Sequence, residues 1–376
     1  MQLSTNNDTH IIVSIADIHF GATDPLYMYN ILKEQFLDVI DRINFDIVTI
    51  CGDIFDSKFM SNNPIISYAL MFIDNLVQIC RKKNAALVII DGTQSHDNGQ
   101  LKLFYHYLSD SSLDMYIIEE IKIINVKNMK VLCIPERYGI SEEIYKQWLF
   151  ESGGYDMCLL HGTFHNSFKG TEISTLKSDH APVFSLSSFC NCSGPILMGH
   201  YHISGCYDGY AYYNGSPLRW RFGEEQDKGF LVTLYNQTTK WHYTELVPIV
   251  SNSYVTISID DIISQEPHII IEYIQRYKTE HNIDYIRVQF NNSNDSMAIV
   301  KNYFRTNQNV VLQEMDRQVK QMESINKGIM EQQSQYSYII DPQLDDYTKF
   351  IMYINQCEGC EFITVDELIH ILEEVN

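Results

Sequence analysis

Histidine and aspartate recur at the ends of apolar runs in this chain. Ile11-Ile12-Val13-Ser14-Ile15 is followed by Asp17-Ile18-His19, and Ile47-Val48-Thr49-Ile50 by Gly52-Asp53-Ile54-Phe55-Asp56. Leu87-Val88-Ile89-Ile90 leads into Asp91-Gly92-Thr93-Gln94-Ser95-His96-Asp97. Cys158-Leu159-Leu160 leads to His161-Gly162, and Ile196-Leu197-Met198 to Gly199-His200-Tyr201-His202. Of these motifs, Asp17-Ile18-His19 or Gly52-Asp53 alone reads as an ordinary turn, whereas Gly199-His200-Tyr201-His202 offers two ligands with one residue between them on an extended segment. Their recurrence, in order and each after a strand-like run, places nitrogen and oxygen donors at the carboxyl edge of a sheet, where α/β proteins keep their sites. Mixed donors suit Mn²⁺, Fe²⁺ or Zn²⁺, whereas an all-carboxylate magnesium site would lack the histidines. Two such ions about 3.5–4 Å apart can clamp a phosphodiester and activate water. With Asp17 and Asp53 as the anionic ligands, two divalent ions leave a net positive site that attracts phosphate.

The elements that must position these residues follow from periodicity. A helix is expected from Tyr27 to Ile43, with Ile31, Leu32, Phe36, Val39, Ile40 and Ile43 at helical spacing. Pro64 can open a second helix whose face carries Ile65, Tyr68, Ala69, Phe72, Leu76 and Ile79. With the three flanking strands this gives a β-α-β-α-β order, hence a parallel sheet. A short helix over 100–108 follows. Strands are then expected at Val131–Ile134 and Met157–Leu160 around a helix near 142–150, and 162–191 reads as loops. Hairpins are expected over 203–213 and 230–246, where Gly and Asn punctuate the chain. From Ser251 to Glu314 a smaller β-α-β-α-β unit is expected, with a helix over 262–277. Residues 315–376 read as a charged linker and two amphipathic helices, 344–356 and 365–374. The expected division is therefore 1–250, 251–314 and 315–376.

Composition narrows the function classes. Forty-eight acidic residues against 27 Lys and Arg give a net charge of −21, which argues against a general nucleic-acid coat; any DNA contact must be local, through cations, a basic strip or a partner. No run of ~18 apolar residues and no signal-like N-terminus is present, so a soluble cytoplasmic protein with no membrane contact is expected. Nine cysteines in 376 residues fit reduced thiols better than a disulfide scaffold. Cys357 and Cys360 form an isolated pair, short of the ligands a zinc site needs.

The ordered motifs resemble the calcineurin-like metallophosphoesterase family, with its D-x-H, G-D-x-x-D, G-N-H-[DE], H and G-H-x-H signatures. The resemblance implies a four-layer α-β-β-α sandwich of α/β class, with a small α+β capping domain and a C-terminal helical tail. It implies two divalent metal ions, most commonly Mn²⁺. Asp17, His19 and His202 would hold the first, His161 and His200 the second, and Asp53 would bridge. His96 would be the catalytic histidine at the scissile phosphate and Asp97 would orient it. The chain departs from the family at G-N-H-D: the Asn ligand is absent, and Ser95 stands directly before His96, with Gln94 nearby. On this reading Ser95, Gln94 or water completes the second metal, with site charge unchanged but a weaker donor.

Within the family, Gly52–Ser57 and the block Asn214-Gly215-Ser216-Pro217-Leu218-Arg219-Trp220-Arg221-Phe222-Gly223-Glu224 with Lys228-Gly229-Phe230 look like SbcD-type DNA repair nucleases. The chain's acidity and altered G-T-Q-S-H-D motif are similar to bacteriophage recombination exonuclease subunits, which would put it in a host cytoplasm. The branch implies an exonuclease and endonuclease acting on DNA ends. It also implies a homodimer within a heterotetramer with an SMC-like ATPase of SbcC type, docked through the C-terminal helices. The apolar stripe of 64–81 is a candidate dimer surface. Two other readings are a small-molecule phosphodiesterase or phosphatase with the same metals, against which the 215–230 block speaks, and a non-catalytic scaffold for the ATPase, supported by the missing Asn.

Overall fold

The computed structural model describes residues 8–315 except 98, 141, 152, 165–181, 208 and 292–293. The expected C-terminal helices and the Cys357/Cys360 pair lie outside the described residues. The first sheet begins with β1 (Thr9–Ile15), β2 (Ile47–Cys51), β3 (Ala86–Ile90) and β4 (Asp114–Ile118), all parallel to one another. A second sheet is built on β5 (Lys122–Val126), β6 (Met129–Ile134), β7 (Met157–His161), β10 (Ile196–Gly199), β11 (Gly205–Tyr207) and β12 (Ala211–Tyr213), in the order β11-β12-β10-β7-β6-β5. Between its members lies a short parallel pair, β8 (Thr163–Phe164) and β9 (Val183–Phe184). The hairpin β13 (Gly229–Asn236) and β14 (His242–Pro248) returns to the first sheet, giving β14-β13-β1-β2-β3-β4.

Strand alternation decides which residues enter which layer. Ile12, Ile47 and Ala86 stand in register and face the second sheet, whereas Val13, Val48 and Leu87, one position on, face the helices. In the second sheet, Val131, Cys133, Met157, Leu159 and Leu197 face the first sheet, while Leu132, Ile134, Cys158, Leu160, Ile196 and Met198 face outward. The central strands are therefore buried on both faces, which is why they read as continuous apolar runs. The outer layer on the first sheet is α1 (Pro25–Leu32), a π turn at Lys33–Leu37, the short α2 (Asp38–Ile40) and α3 (Pro64–Lys83). The outer layer on the second contains α4 (Glu142–Lys146), with Tyr145, Leu149 and Phe189 in its core. This is the expected α-β-β-α sandwich.

Local signals set the helix ends. Asn63 caps α3 by accepting from the Ile65 amide at 3.0 Å, with Pro64 at the first helical position. The stripe on α3 is largely spent within the chain: Ile66, Ala69, Phe72, Ile73, Leu76, Val77 and Cys80 are all buried, leaving Met71 as its exposed apolar residue. The helix expected over 27–43 is interrupted by the π turn, whose extra residue brings Phe36 and the adjacent Leu37 both into the core. The 162–191 stretch, read as loops, contains β8 and β9, too short for periodicity to register; Phe164 and Phe184 are core residues of the outer layer.

By contacts the chain divides into two compact units, the first running to Thr256 with Tyr277–Arg287, the second comprising Ile257–Arg276 and the residues from Val288 on. The strands β15 (Tyr254–Ser258), β16 (Tyr285–Phe290) and β17 (Val310–Glu314) form a three-stranded sheet in that order, interleaved with α5 (Pro267–Glu280) and α6 (Asp295–Phe304). The helix expected from Ile262 starts at Pro267 instead, because proline lacks the amide an interior position needs.

The sheets approach closely at Gly199, where a Cβ would overlap the Cys51 carbonyl oxygen of β2. Gly199→Ala is expected to destabilise the protein by about 1–3 kcal/mol through forced separation of the two sheets. A lower urea midpoint with an unchanged denaturant slope would show it; an unaltered midpoint would contradict the close-approach account.

Candidate metal centre

All the sequence-predicted ligands but Ser95 sit just beyond, or at, the carboxyl end of a parallel strand. Asp17 and His19 follow β1, Asp53 follows β2, His161 ends β7, and His200 and His202 follow β10. Asp17, His19 and His202 come together so that one donor atom from each lies within 4.8 Å of the others. Asp53 groups with Asp17 and His161 on one side and with His19 and His96 on the other, which is where a bridging carboxylate must stand. Its Oδ2 is 3.6 Å from His19 Nε2, 3.4 Å from His161 Nε2 and 2.8 Å from His96 Nδ1.

The backbone is bent to achieve this. Asp17, His19, Asp53 and His200 all have positive φ, at 50°, 53°, 54° and 100°. Left-handed backbone disfavours any residue with a Cβ, and such strain gathers at functional sites. The loops after β1 and β2 remain zipped together: the Asp17 amide donates to Gly52 O at 3.1 Å and the His19 amide to Asp53 O at 3.0 Å. Gly52, at φ 88°, leaves the space that His161 fills; a Cβ would overlap the imidazole. Asp17 joins the two sheets, since both of its oxygens accept from the His200 amide, at 2.9 and 3.1 Å.

Asp97 is buried, and its carboxylate accepts from four backbone amides: Asp53 at 3.0 Å, Ile54 at 2.9 Å, Phe55 at 3.1 Å and Gly92 at 3.1 Å. It was expected to orient His96. It instead clamps the loops after β2 and β3, and His96 is held by Asp53. Ser95 is exposed on the turn and the structure does not bring it into these groups. Thr93, two residues earlier and directly after Gly92, is buried there: its amide donates to Asp53 Oδ1 at 2.6 Å, and its Oγ1 is 3.3 Å from His161 Nε2. The extra residues of G-T-Q-S-H-D form the turn between Thr93 and His96.

One residue of the site went unread in the sequence. Glu136 is fully buried and groups with His161 and His200; its Oε2 lies 3.0 Å from His200 Nδ1 and 3.7 Å from His161 Nε2. It follows β6 just as Asp53 follows β2, so the pattern of an apolar run ending in a carboxylate could have found it. Asp91, also at a strand end, is instead paired with Arg137 at 2.7 Å. The 214–230 block supports His202 from behind: Lys228 Nζ donates to His202 O at 2.7 Å and to Ser216 Oγ at 2.9 Å, and Glu224 Oε1 is 3.6 Å from His202 Nδ1. Trp220 packs against His19 and His202, with ring centres 5.3 and 5.2 Å away.

The electrostatics fit metal cations. Both nitrogens of His19 are buried without a hydrogen-bond partner, Nδ1 coming no nearer than 3.4 Å to Asp56. Such orphaned donors in a polar cluster are what a metal ligand leaves behind. The Nδ1–H of His161 donates to the Cys51 carbonyl at 2.7 Å, which fixes the ring so that Nε2 faces Asp53 and Glu136. Burial pushes Asp17 up to about 8. Burial would also lift Asp53, but His161 and His96 outweigh it and hold the carboxyl well below its ordinary value. Burial opposes charge on His161, yet Asp53, Asp17 and Glu136 push it well above the usual imidazole range. A proton on His161 thus does the balancing that a divalent cation could do in its place. Burial drives His202 down to about 4, leaving a neutral imidazole ready to donate.

The chain is similar to a viral protein. That relative, phosphoesterase 244L of Invertebrate iridescent virus 6, carries its name provisionally; it is 22% identical over 245 residues, 63% of this chain and 80% of the viral protein. No protein-family model matches the chain. The similarity and the buried His, Asp and Glu groups fit a metallophosphoesterase.

Asp97→Ala would leave four buried amides without their acceptor, each worth about 1–3 kcal/mol. A loss of at least ~3 kcal/mol in urea unfolding is expected on that basis. Near-wild-type stability would show that water replaces the carboxylate.

Proposed function

We propose that this protein is a metal-dependent phosphodiesterase that cleaves DNA, the nuclease subunit of a DNA end-processing and recombination assembly. The observation that carries the phosphoesterase part is Asp53, set between two groups of metal-type donors with His96 at 2.8 Å on its open side. Asp17, His19 and His202 would hold one cation, and His161 and His200 the other, with Asp53 shared. Bound cations, for which Mn²⁺ suits the mixed donors, supply Lewis-acid polarisation of a phosphoryl oxygen and a reactive water. The chain's own residues bind, orient and move protons. His96, with 30% of its side chain exposed, is the histidine that meets a substrate entering from solvent. Its contact with Asp53 raises its affinity for a proton despite partial burial, so it can donate one to a leaving oxygen.

The DNA assignment rests on the resemblance of the 52–57 and 214–230 blocks to SbcD-type nucleases. Nine residues of the second block are buried and it supports the His202 loop directly; Trp220, which packs on His19 and His202, and the half-exposed Arg221 are the residues we assign to substrate contact. A chain of net charge −21 must borrow positive surface, which favours action with a partner, an SMC-like ATPase docked through residues 344–376. A homodimer on α3 would have to use Met71 and the partly buried residues beside it, since the rest of that stripe is core.

With Mn²⁺, the wild-type protein is expected to shorten end-labelled linear DNA, alone or with the ATPase and ATP. His96→Ala should lower the rate by about 10²-fold or more while the metal content stays unchanged. Hydrolysis of small phosphodiesters without DNA cleavage under any of these conditions would instead establish the small-molecule reading. Deletion of residues 344–376 should abolish co-purification with the ATPase without changing the metal content; a truncated chain that still co-purifies would refute the docking segment.

A further inference from the structure

The second cation position has more negative charge available than the motifs imply. Around His161 Nε2 stand Thr93 Oγ1 at 3.3 Å, Asp53 Oδ2 at 3.4 Å and Glu136 Oε2 at 3.7 Å. Glu136 Oε2 is also 3.0 Å from His200 Nδ1 and 3.4 Å from Thr93 Oγ1. Donor atoms that share one cation at roughly 2.1 Å stand about 3.0–3.5 Å apart; Glu136, His161 and His200 each offer a donor within 4.8 Å of the others, with Thr93 Oγ1 beside two of them. The Glu136 carboxylate is completely buried, and its ion pairs are with two imidazoles, His161 and His200. The neighbouring Arg137 does not neutralise it: that guanidinium is committed to Asp91 and to the Glu136 carbonyl oxygen. A carboxylate this deep needs a positive counter-charge, and a cation held between Glu136, His161 and His200 would supply it.

Resting on the metallophosphoesterase reading above, we propose that Glu136 is a direct ligand of the second cation, with His161, His200 and Asp53, and replaces the neutral amide missing from the Gly92–Asp97 loop. Thr93, not Ser95, supplies the hydroxyl on that side. The expectation that site charge is unchanged then fails by one unit: Asp17, Asp53 and Glu136 place three carboxylates on two divalent ions. The added charge compensates for the weak hydroxyl donor, so the second position is held more tightly than a hydroxyl or water in place of the amide would allow.

The competing role is that Glu136 only accepts a hydrogen bond from the His200 imidazole and orients it. A crystal structure of the wild-type protein with Mn²⁺, its ions located by anomalous scattering, separates the two. Two ions are expected, with a Glu136 oxygen about 2.0–2.2 Å from the one held by His161. Calorimetric titration with Mn²⁺ should show two ions per chain, and Glu136→Gln should weaken one of them at least 10-fold, leaving the Asp17/His19/His202 ion unchanged. Should the variant fail to fold, the wild-type diffraction result decides alone. Two ions with Glu136 beyond bonding reach of both, or unaltered titration of Glu136→Gln, would overturn the assignment and leave the metallophosphoesterase reading standing. No bound ion in the wild-type protein would overturn both.

Discussion

The buried carboxylate of Asp53 is the constraint on which the rest depends. It is 2% exposed and lies where the ends of β1, β2, β3 and β7 converge. A negative charge that deep costs several kcal/mol unless something positive or strongly polar meets it. The protein supplies the Thr93 amide and the rings of His19, His96 and His161, each from a different segment. The same set that makes the carboxylate tolerable is the set that could hold cations. Stability and chemistry at this point are therefore the same problem, and removing one partner exposes the others to an unpaired charge.

Two features of the sandwich follow from keeping those segments together. Its parallel strands share one direction within each sheet, so their carboxyl ends gather at one edge. At that edge the backbone turns left-handed at four non-glycine residues. Each such residue costs of order 1–3 kcal/mol and persists only where its surroundings over-determine it. Asp97 is the surrounding that does so for the β2 and β3 loops, through four amides, and Asp17 does so between the sheets, through the His200 amide. The tight glycine contacts at Gly52 and Gly199 close the remaining distance, so that His161 can reach from the second sheet to the carboxylate of the first.

Lys228 and Glu224 extend the same logic to the far side. A buried Lys that donates to the His202 carbonyl, with a buried Glu beside the His202 ring, fixes a loop whose histidine burial keeps neutral, the form that could hold a cation. Residues that resemble a nuclease signature in sequence are, in the fold, the scaffold of the His202 loop, whose histidine groups with Asp17 and His19 as donors that could hold a metal ion.

What the sequence determined by itself was local. Apolar runs marked the strands because those strands are buried on both faces. The Pro64 start of α3 was legible in its proline and in the apolar spacing that followed. The His and Asp residues at strand ends were legible because each follows its own run, and the structure brings Asp17, His19, Asp53, His96, His161, His200 and His202 together. What only the tertiary structure decided was long-range. Ser95 is next to His96 in the chain and Thr93 three residues before it, yet the turn between them leaves the nearer one exposed and points the farther one at His161. Asp97 is adjacent to His96 in the chain, yet its acceptors are used by amides more than forty residues away, in the loop after β2. Glu136 meets His161 and His200 because β6 pairs with β7 and β7 with β10. Register between strands carries no mark in a one-dimensional pattern, since the apolar alternation that fixes each strand's faces does not say which strand lies beside it.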